Sequence, residues 1–296
     1  MKYCDLHTHS VFSDGTWTPT EIIREAERIG LAAVALTDHN TTHGLKEFLA
    51  AAKNTSVEGI AGVEFSTDYG NIELHIVGLY IPSAYFDRVT QMVEGMEERK
   101  IQSNIRLAEN LQKGGYDIRY EDIYNATPDG HFNRVHFAAE LVKKGYVRSV
   151  KEAFNTLLAK GGGYYEEPKR LPVYETIAFL KEIGAVAILA HPFLNLTEQE
   201  LRAFLPRAKA AGLDGMETEY STYDEETTEK AKRIAEEFAL FQSGGSDFHG
   251  TNKPDISLGR GRGNLAVPEG FLDALKTCRT TSPAPDAQQE KMASRK

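Results

Sequence analysis

Met1-Lys-Tyr-Cys-Asp-Leu-His-Thr-His-Ser-Val-Phe-Ser-Asp-Gly15 opens the chain, and its centre, Asp5-Leu6-His7-Thr8-His9, decides how the rest is read. In an extended segment over residues 2–9 side chains alternate between faces. Tyr3, Asp5, His7 and His9 then share one side, and Cys4 and Leu6 enter an apolar layer on the other. Two imidazoles two residues apart on one strand face can reach a single metal ion. Asp5, one step back, is placed to accept the outer N–H of a ligating histidine. A His-x-His pair alone does not make a metal site, so the remaining ligands must come from elsewhere in the chain.

Working outward, Thr18-Pro19-Thr20-Glu21 is a helix start, with Thr18 as N-cap and Glu21 at the third position. It predicts a helix over Pro19 to Ile29. Leu31 to Leu36 is continuously apolar, as in a strand buried on both faces, and it delivers Thr37-Asp38-His39-Asn40. A helix over Thr42 to Ala52 follows. Ser56 to Val63 leads into Glu64, and Ile72 to Ile81 is a strand holding His75. The alternation of strands and helices resumes at Pro172. Ala185 to Ala190 ends at His191-Pro192, Gly215 to Tyr220 is a further strand, and Leu240 to Ser246 leads to Asp247-Phe248-His249. The proline biases His191 toward an extended conformation. Between these halves helical periodicity dominates. Phe86 to Leu111 is expected as one long or broken helix, and Arg134 to Lys144 and Val150 to Lys160 as further helices, so residues 99–170 are expected to form an inserted helical subdomain. The barrel parts would be 1–98 and 171–280, and the polar stretch 281–296 is expected to be disordered.

Bulk properties exclude several classes. The 296 residues, 41% hydrophobic and 26% charged, are ordinary for a globular protein. No apolar run approaches the roughly 20 residues that span a bilayer, and no leader is visible at the N-terminus. Two cysteines, Cys4 and Cys278, make no disulfide framework, which fits a reducing cytoplasm. A net charge of −9 argues against a broad duplex nucleic-acid surface. It leaves room for an anionic small substrate, since a metal cluster reverses the sign locally.

The polar residues fall in a pattern. His7, His9, His39, Glu64, His191, Asp247 and His249 each end an apolar strand, and in a parallel barrel the C-terminal strand ends converge on one face. With Asp14 and His75 they make nine candidate ligands, holding six of the nine histidines in the chain. Six neutral imidazoles and three carboxylates would set −3 against about +6 from three divalent ions. Mixed nitrogen and oxygen donors fit Mn, Fe or Zn better than Mg or Ca. Other polar residues have plainer readings. Asp14 also suits a Ser-Asp-Gly turn; Asp38 could cap the next helix or support a ligand; Glu217 and Glu219 read as structural salt-bridge partners. His43 and His131 read as solvated, and Cys4 as buried and inert.

Asp5-Leu-His-Thr-His-Ser10 with Ser13-Asp14-Gly15, Leu36-Thr-Asp-His39, Gly62-Val-Glu64, Leu74-His75, Ala190-His-Pro192 and Ser246-Asp-Phe-His249 resemble the polymerase and histidinol phosphatase (PHP) phosphoesterase family. The resemblance runs to about residue 280. It implies an α/β fold, a distorted seven-stranded (β/α) barrel, with the helical insertion as a lid and two to three divalent ions. By resemblance His7, His9, Glu64 and Asp247 hold one ion and Asp14, His39 and His249 a second. Glu64 bridges to a third, also held by His75 and His191. Asp247 and His249 then act in catalysis through the metals, and a metal-bridging hydroxide attacks phosphorus.

Phe132-Asn-Arg134-Val-His136 resembles the lid of the family's nucleotide-processing branch, with Val135 where proline is often found. That implies catalytic and phosphate-binding roles for Arg134 and His136, although both would equally suit a solvated helix. Gly259-Arg-Gly-Arg-Gly263 offers Arg260 as a further anion contact, or is simply a loop beside the barrel. The implied substrates are nucleoside 3′,5′-bisphosphates or the 5′ ends of short RNA. The alternatives are a histidinol-phosphate phosphatase, against which Asp14 and the long insertion count, and a non-catalytic metal-binding barrel. An amidohydrolase would normally place a lysine among the ligands, and the sequence offers none.

Overall fold

A computed structural model describes residues 2–70, 72–126, 134–159 and 161–280. In chain order its elements are β1 (Tyr3–Asp5), α1 (Pro19–Arg28), β2 (Ala33–Leu36), α2 (Leu45–Ala52), β3 (Glu58–Tyr69), β4 (Ile72–Leu79) and α3 (Phe86–Val93). Then come α4 (Met96–Lys113), α5 (Tyr120–Asn125), α6 (Arg134–Lys143), α7 (Val150–Asn155), β5 (Leu171–Pro172), α8 (Val173–Glu182) and β6 (Val186–Leu189). The last are α9 (Glu198–Ala211), β7 (Gly215–Tyr220), α10 (Glu225–Glu237), β8 (Phe241–Gly245), β9 (Val267–Pro268) and α11 (Gly270–Thr280). Two units separate, residues 94–170 and the remainder. The expected tail from Thr281, and His131, Phe132 and Asn133, lie outside the described residues.

Seven strands form the barrel in the order β1-β2-β3-β4-β6-β7-β8; β9 adds two residues beside β1, and β5 two beside β3. The chain just past β1 meets β8 and closes the ring. Leu6 N–H donates to Gly244 O (3.1 Å), Asp247 N–H to His7 O (2.8 Å) and His9 N–H to Phe248 O (2.9 Å). This seam demands a glycine, since a Cβ on Gly245 would sit 2.4 Å from the Cβ of His7. The expected strand over residues 2–9 is therefore shorter, and His7 and His9 lie in the extended segment after it.

The sheet is not wholly parallel. β4 runs antiparallel to both β3 and β6. Its first half thus lies at the end of the barrel where its neighbours finish, which is how His75, inside a strand, joins residues that follow strands.

Local signals act as the sequence suggests. Thr18 and Glu21 cap α1 reciprocally, and Thr197 and Glu200 do the same for α9. β2 and β6 are buried along their whole length, because barrel interior and helix layer cover their two faces. One core cluster joins Cys4, Leu6, Ala33, Ala35, Ile60, Val77 and Ile188 with Leu272, Leu275 and Cys278 of α11. Burial pushes the Cys4 thiol far up, which keeps it unreactive. The helical unit has its own core of Leu107, Leu111, Ile118, Phe137, Leu141 and Leu158. The segment from Phe86, expected as one long or broken helix, is broken at Gly95, whose φ is +73°. No helix among the described residues is long and apolar enough to cross a membrane.

Candidate metal centre

Nine side chains from seven segments of the barrel come together. Glu64, buried within β3, is the hub. Its Oε2 faces His7 Nε2 and His9 Nε2 at 3.2 Å each and His39 Nδ1 at 3.1 Å. Its Oε1 faces His75 Nδ1 at 2.7 Å and His191 Nε2 at 3.0 Å. Asp247 Oδ1 lies 3.2 Å from His9 Nε2, and Asp14 Oδ1 lies 3.1 Å from His249 Nε2. Three groups are tight enough to share an ion: His9, Asp14, His39 and His249; His7, His9 and Glu64; His39, Glu64 and His75. His191 and Asp247 adjoin these groups through Glu64 and His9.

The donor set tests well for divalent cations. Ligand atoms about 2.1 Å from an ion lie about 3.0–3.4 Å apart in octahedral or tetrahedral geometry, which is the spacing found around Glu64 Oε2. Glu64 Oε2 and His39 Nδ1 are buried and face each other at 3.1 Å, yet neither atom has a partner that meets hydrogen-bond geometry, although His7 and His9 also face that oxygen. Such pairs cost free energy unless something else satisfies them. A shared cation would.

Electrostatics points the same way. Burial opposes charge on His9, but hydrogen bonds to Asp247 and Glu64 outweigh it and lift its pKa to about 9. For His75, burial is likewise outweighed by Glu64 and then Glu73, giving about 10. His7 is raised too, since Glu64, Glu217 and Asp247 overcome its burial. His39 goes the other way, to about 3, with burial as the main cause. Burial alone would raise the carboxyls of Glu64 and Asp247. Both are instead held well below the usual range, Glu64 by the imidazoles around it and Asp247 chiefly by Lys253. Protons on imidazoles thus balance the carboxylates, a role metal ions can take over.

The supporting shell differs from expectation. Asp5 accepts no imidazole N–H. It takes Ser246 N–H (2.8 Å), Ser246 Oγ–H (2.5 Å) and Gly259 N–H (2.7 Å), fixing the end of β8 just before Asp247. The acid that orients a candidate ligand is Glu217, which the sequence reading gave to a structural salt bridge. Its Oε1 accepts His7 Nδ1–H at 2.8 Å and its Oε2 accepts His191 N–H at 2.7 Å. That hydrogen bond leaves His7 Nε2 with its lone pair toward the cluster. Glu219, two residues on, does form a salt bridge, with Lys232. Asp38 does not cap α2; it accepts Ser10 N–H (2.7 Å) and the hydroxyls of Ser10 and Ser13 (2.6 Å each), fastening the loop that carries Asp14.

His191 is not extended. It has φ +26° and ψ +56°, and Asp247 has φ +55°. Two candidate ligands thus occupy backbone regions that non-glycine residues rarely adopt. Sequence reading also missed Lys253 and Tyr220, both bonded to Asp247 Oδ2. A buried acid near a strand end, the signal that marked Glu64, would have marked Glu217; nothing local marks Lys253.

Arg134 and His136 belong to the helical unit, where the Arg134 guanidinium lies 4.1 Å from the Tyr165 ring centroid and 5.5 Å from that of Phe154. Arg260 is exposed on the glycine loop, whose Gly259, Gly261 and Gly263 all have positive φ. His43 is exposed, as expected.

A barrel that closes over a buried, histidine-rich, carboxylate-bridged cluster has the donor set of a metal-dependent hydrolase. Residues 5–167 match the PHP domain. The chain is 33% identical over 249 residues, 84% of its length and 90% of the other, to a 5′-3′ exoribonuclease of Haemophilus influenzae. It is 29% identical to a 3′,5′-nucleoside bisphosphate phosphatase of Chromobacterium violaceum, over 88% of this chain and 91% of that one. Among solved structures it resembles a Bifidobacterium adolescentis protein assigned as a metal-dependent phosphoesterase, with TM-score 0.72 and 27% identity, covering 94% of this chain and 96% of that one. The chain belongs to the PHP family and is a hydrolase acting on phosphate esters.

Proposed function

We propose that the protein hydrolyses nucleotide phosphate esters, taking 3′,5′-bisphosphonucleotides to 5′-monophosphates, trimming short RNA from its 5′ end, or both. The observation that carries the chemistry is the nine-donor cluster around Glu64; the nucleotide class rests on the two relatives aligned over most of both chains. In this reading His7, His9, Glu64 and Asp247 hold one ion, Asp14, His39 and His249 a second, and Glu64, His75 and His191 a third. Two to three ions of Mn, Fe or Zn suit these donors. Divalent ions there would polarise the phosphoryl oxygens and activate the attacking water.

The protein's own groups prepare that chemistry. Glu217 keeps a proton on His7 Nδ1, and the Asp247 carbonyl accepts His249 Nδ1–H at 2.8 Å, so both rings offer Nε2 to an ion. Asp5 and Asp38 fix the two segments that bring Asp247 and Asp14 into place. Arg134 and His136 would receive a second phosphate, and Arg260 would be a further anion contact. The histidinol-phosphate alternative gains nothing from the donor set, which carries Asp14 where those members tend to have histidine.

The test compares adenosine 3′,5′-bisphosphate, a 5′-phosphorylated dinucleotide, histidinol phosphate and p-nitrophenyl phosphate on wild type and Arg134→Ala. Losing one charge-assisted hydrogen bond costs about 1.5–3 kcal/mol, or about tenfold to a hundredfold. That loss should fall on the bisphosphate and dinucleotide and spare the generic ester, with metal content unchanged. Preference for histidinol phosphate would refute the nucleotide assignment. Equal losses on all substrates would remove Arg134 from second-phosphate recognition.

A further inference from the structure

Asp247 faces two ways. Its Oδ1 points into the cluster, 3.2 Å from His9 Nε2 and 3.7 Å from His7 Nε2. Its Oδ2 is already taken by two donors, the Tyr220 hydroxyl at 2.7 Å and Lys253 Nζ at 2.5 Å. The side chain of Asp247 is 6% exposed and that of Lys253 35%, so the lysine is partly exposed at the edge of a buried carboxylate.

The backbone around the pair is built to hold it. After His249 the chain makes a short 3-10 turn over Gly250–Asn252, and Lys253 follows directly. Gly250 has φ +63°, and a Cβ there would meet Thr16 Oγ1 at 2.1 Å. Thr251 N–H donates to Thr16 Oγ1 (2.9 Å) and Asn252 Nδ2–H to the Asp14 carbonyl (2.9 Å). The turn that places Lys253 is therefore tied to the loop bearing Asp14.

A carboxylate oxygen that accepts an O–H and an ammonium N–H cannot also bind a cation without losing them. A fixed positive charge beside a divalent ion also weakens that ion's binding. We propose that Lys253 is a positioning residue that restricts Asp247 to coordination through Oδ1 and lowers the affinity of the ion held there. This rests on the reading of Asp247 as a ligand. The arrangement keeps one coordination position free for an anionic substrate that a chelating carboxylate would fill. A lysine that only anchored the turn would have the opposite effect when removed, because a loosened turn displaces Asp247 and Asp14 together.

The experiment titrates Mn²⁺ alone into metal-free protein by calorimetry, with metal content measured after gel filtration. Wild type, Lys253→Met and Lys253→Arg are compared, and thermal melts confirm folding. Lys253→Met should bind its tightest ion about tenfold more strongly and release it more slowly to a chelator. Lys253→Arg, which keeps the charge, should stay within about threefold of wild type. Equal or weaker binding in Lys253→Met overturns the inference and makes Lys253 an anchor of the turn, as does an arginine variant that behaves like methionine. Wild type that takes up no Mn²⁺ overturns instead the reading of the cluster as a metal centre.

Discussion

Replacing Glu217 by glutamine tests whether the ring of His7 is positioned or merely buried. The change conserves shape and removes one negative charge. In the wild type each carboxylate oxygen accepts one N–H, from His7 Nδ1 at 2.8 Å and from the His191 backbone at 2.7 Å. An amide has one carbonyl oxygen, so it can serve only one of them and must turn its NH₂ toward the other donor. One charge-assisted bond is lost, about 1.5–3 kcal/mol, and two buried donors are set against each other. If His7 is a ligand, that loss appears as metal affinity weaker by about tenfold to a hundredfold, the range seen when such outer partners are removed. Calorimetric titration of the metal-free variant with Mn²⁺ measures it, and activity at saturating Mn²⁺ should recover substantially. Unchanged affinity in a folded Glu217→Gln protein would refute the reasoning.

Two further outcomes follow from the same cluster. Asp247→Ala removes the carboxylate that faces His7 and His9 and should lower both bound metal and turnover; full activity with undiminished metal would exclude Asp247 as a ligand. Without metal, His9 and His75 have pKa values of about 9 and about 10, against about 6.5 in an unfolded chain. Raised values stabilise the fold fully below about pH 6.5, and that stability is lost as pH rises through 9 and 10. The melting temperature in chelator should therefore fall between pH 7 and 10 while Mn²⁺ affinity rises, and a flat melting profile would contradict the balance of protons and carboxylates.

What the sequence made legible was what repeats along it. Apolar runs such as Ala33–Leu36 and Val186–Leu189 are uniformly buried, and an apolar run has only a few physical readings. Seven of the nine ligand candidates followed because they end such runs with an imidazole or a carboxylate; Asp14 and His75 did not. Partners of those candidates were not legible. Glu217 meets His7 across 210 positions of sequence, and that pairing depends on barrel closure. Asp5 looked like the partner of His7 because it is two residues away, yet the pleat that puts them on one face also lets the nearer N–H groups of Ser246 and Gly259 take the carboxylate first.

The direction of β4 shows why local pattern reading reaches a limit. His75 is the fourth residue of its strand, and strand-end logic for a parallel barrel would leave it buried in the wall. Because β4 runs antiparallel, His75 pairs in register with Ser66, two residues beyond Glu64 along β3. The ring then reaches Glu64 Oε1 at 2.7 Å. A short connection around residues 69–72 enforces this, since parallel neighbours need a crossover of a dozen or more residues. The two positions of sequence between the end of β3 and the start of β4 therefore suffice to dictate an antiparallel β4, and with it the place of His75 beside Glu64.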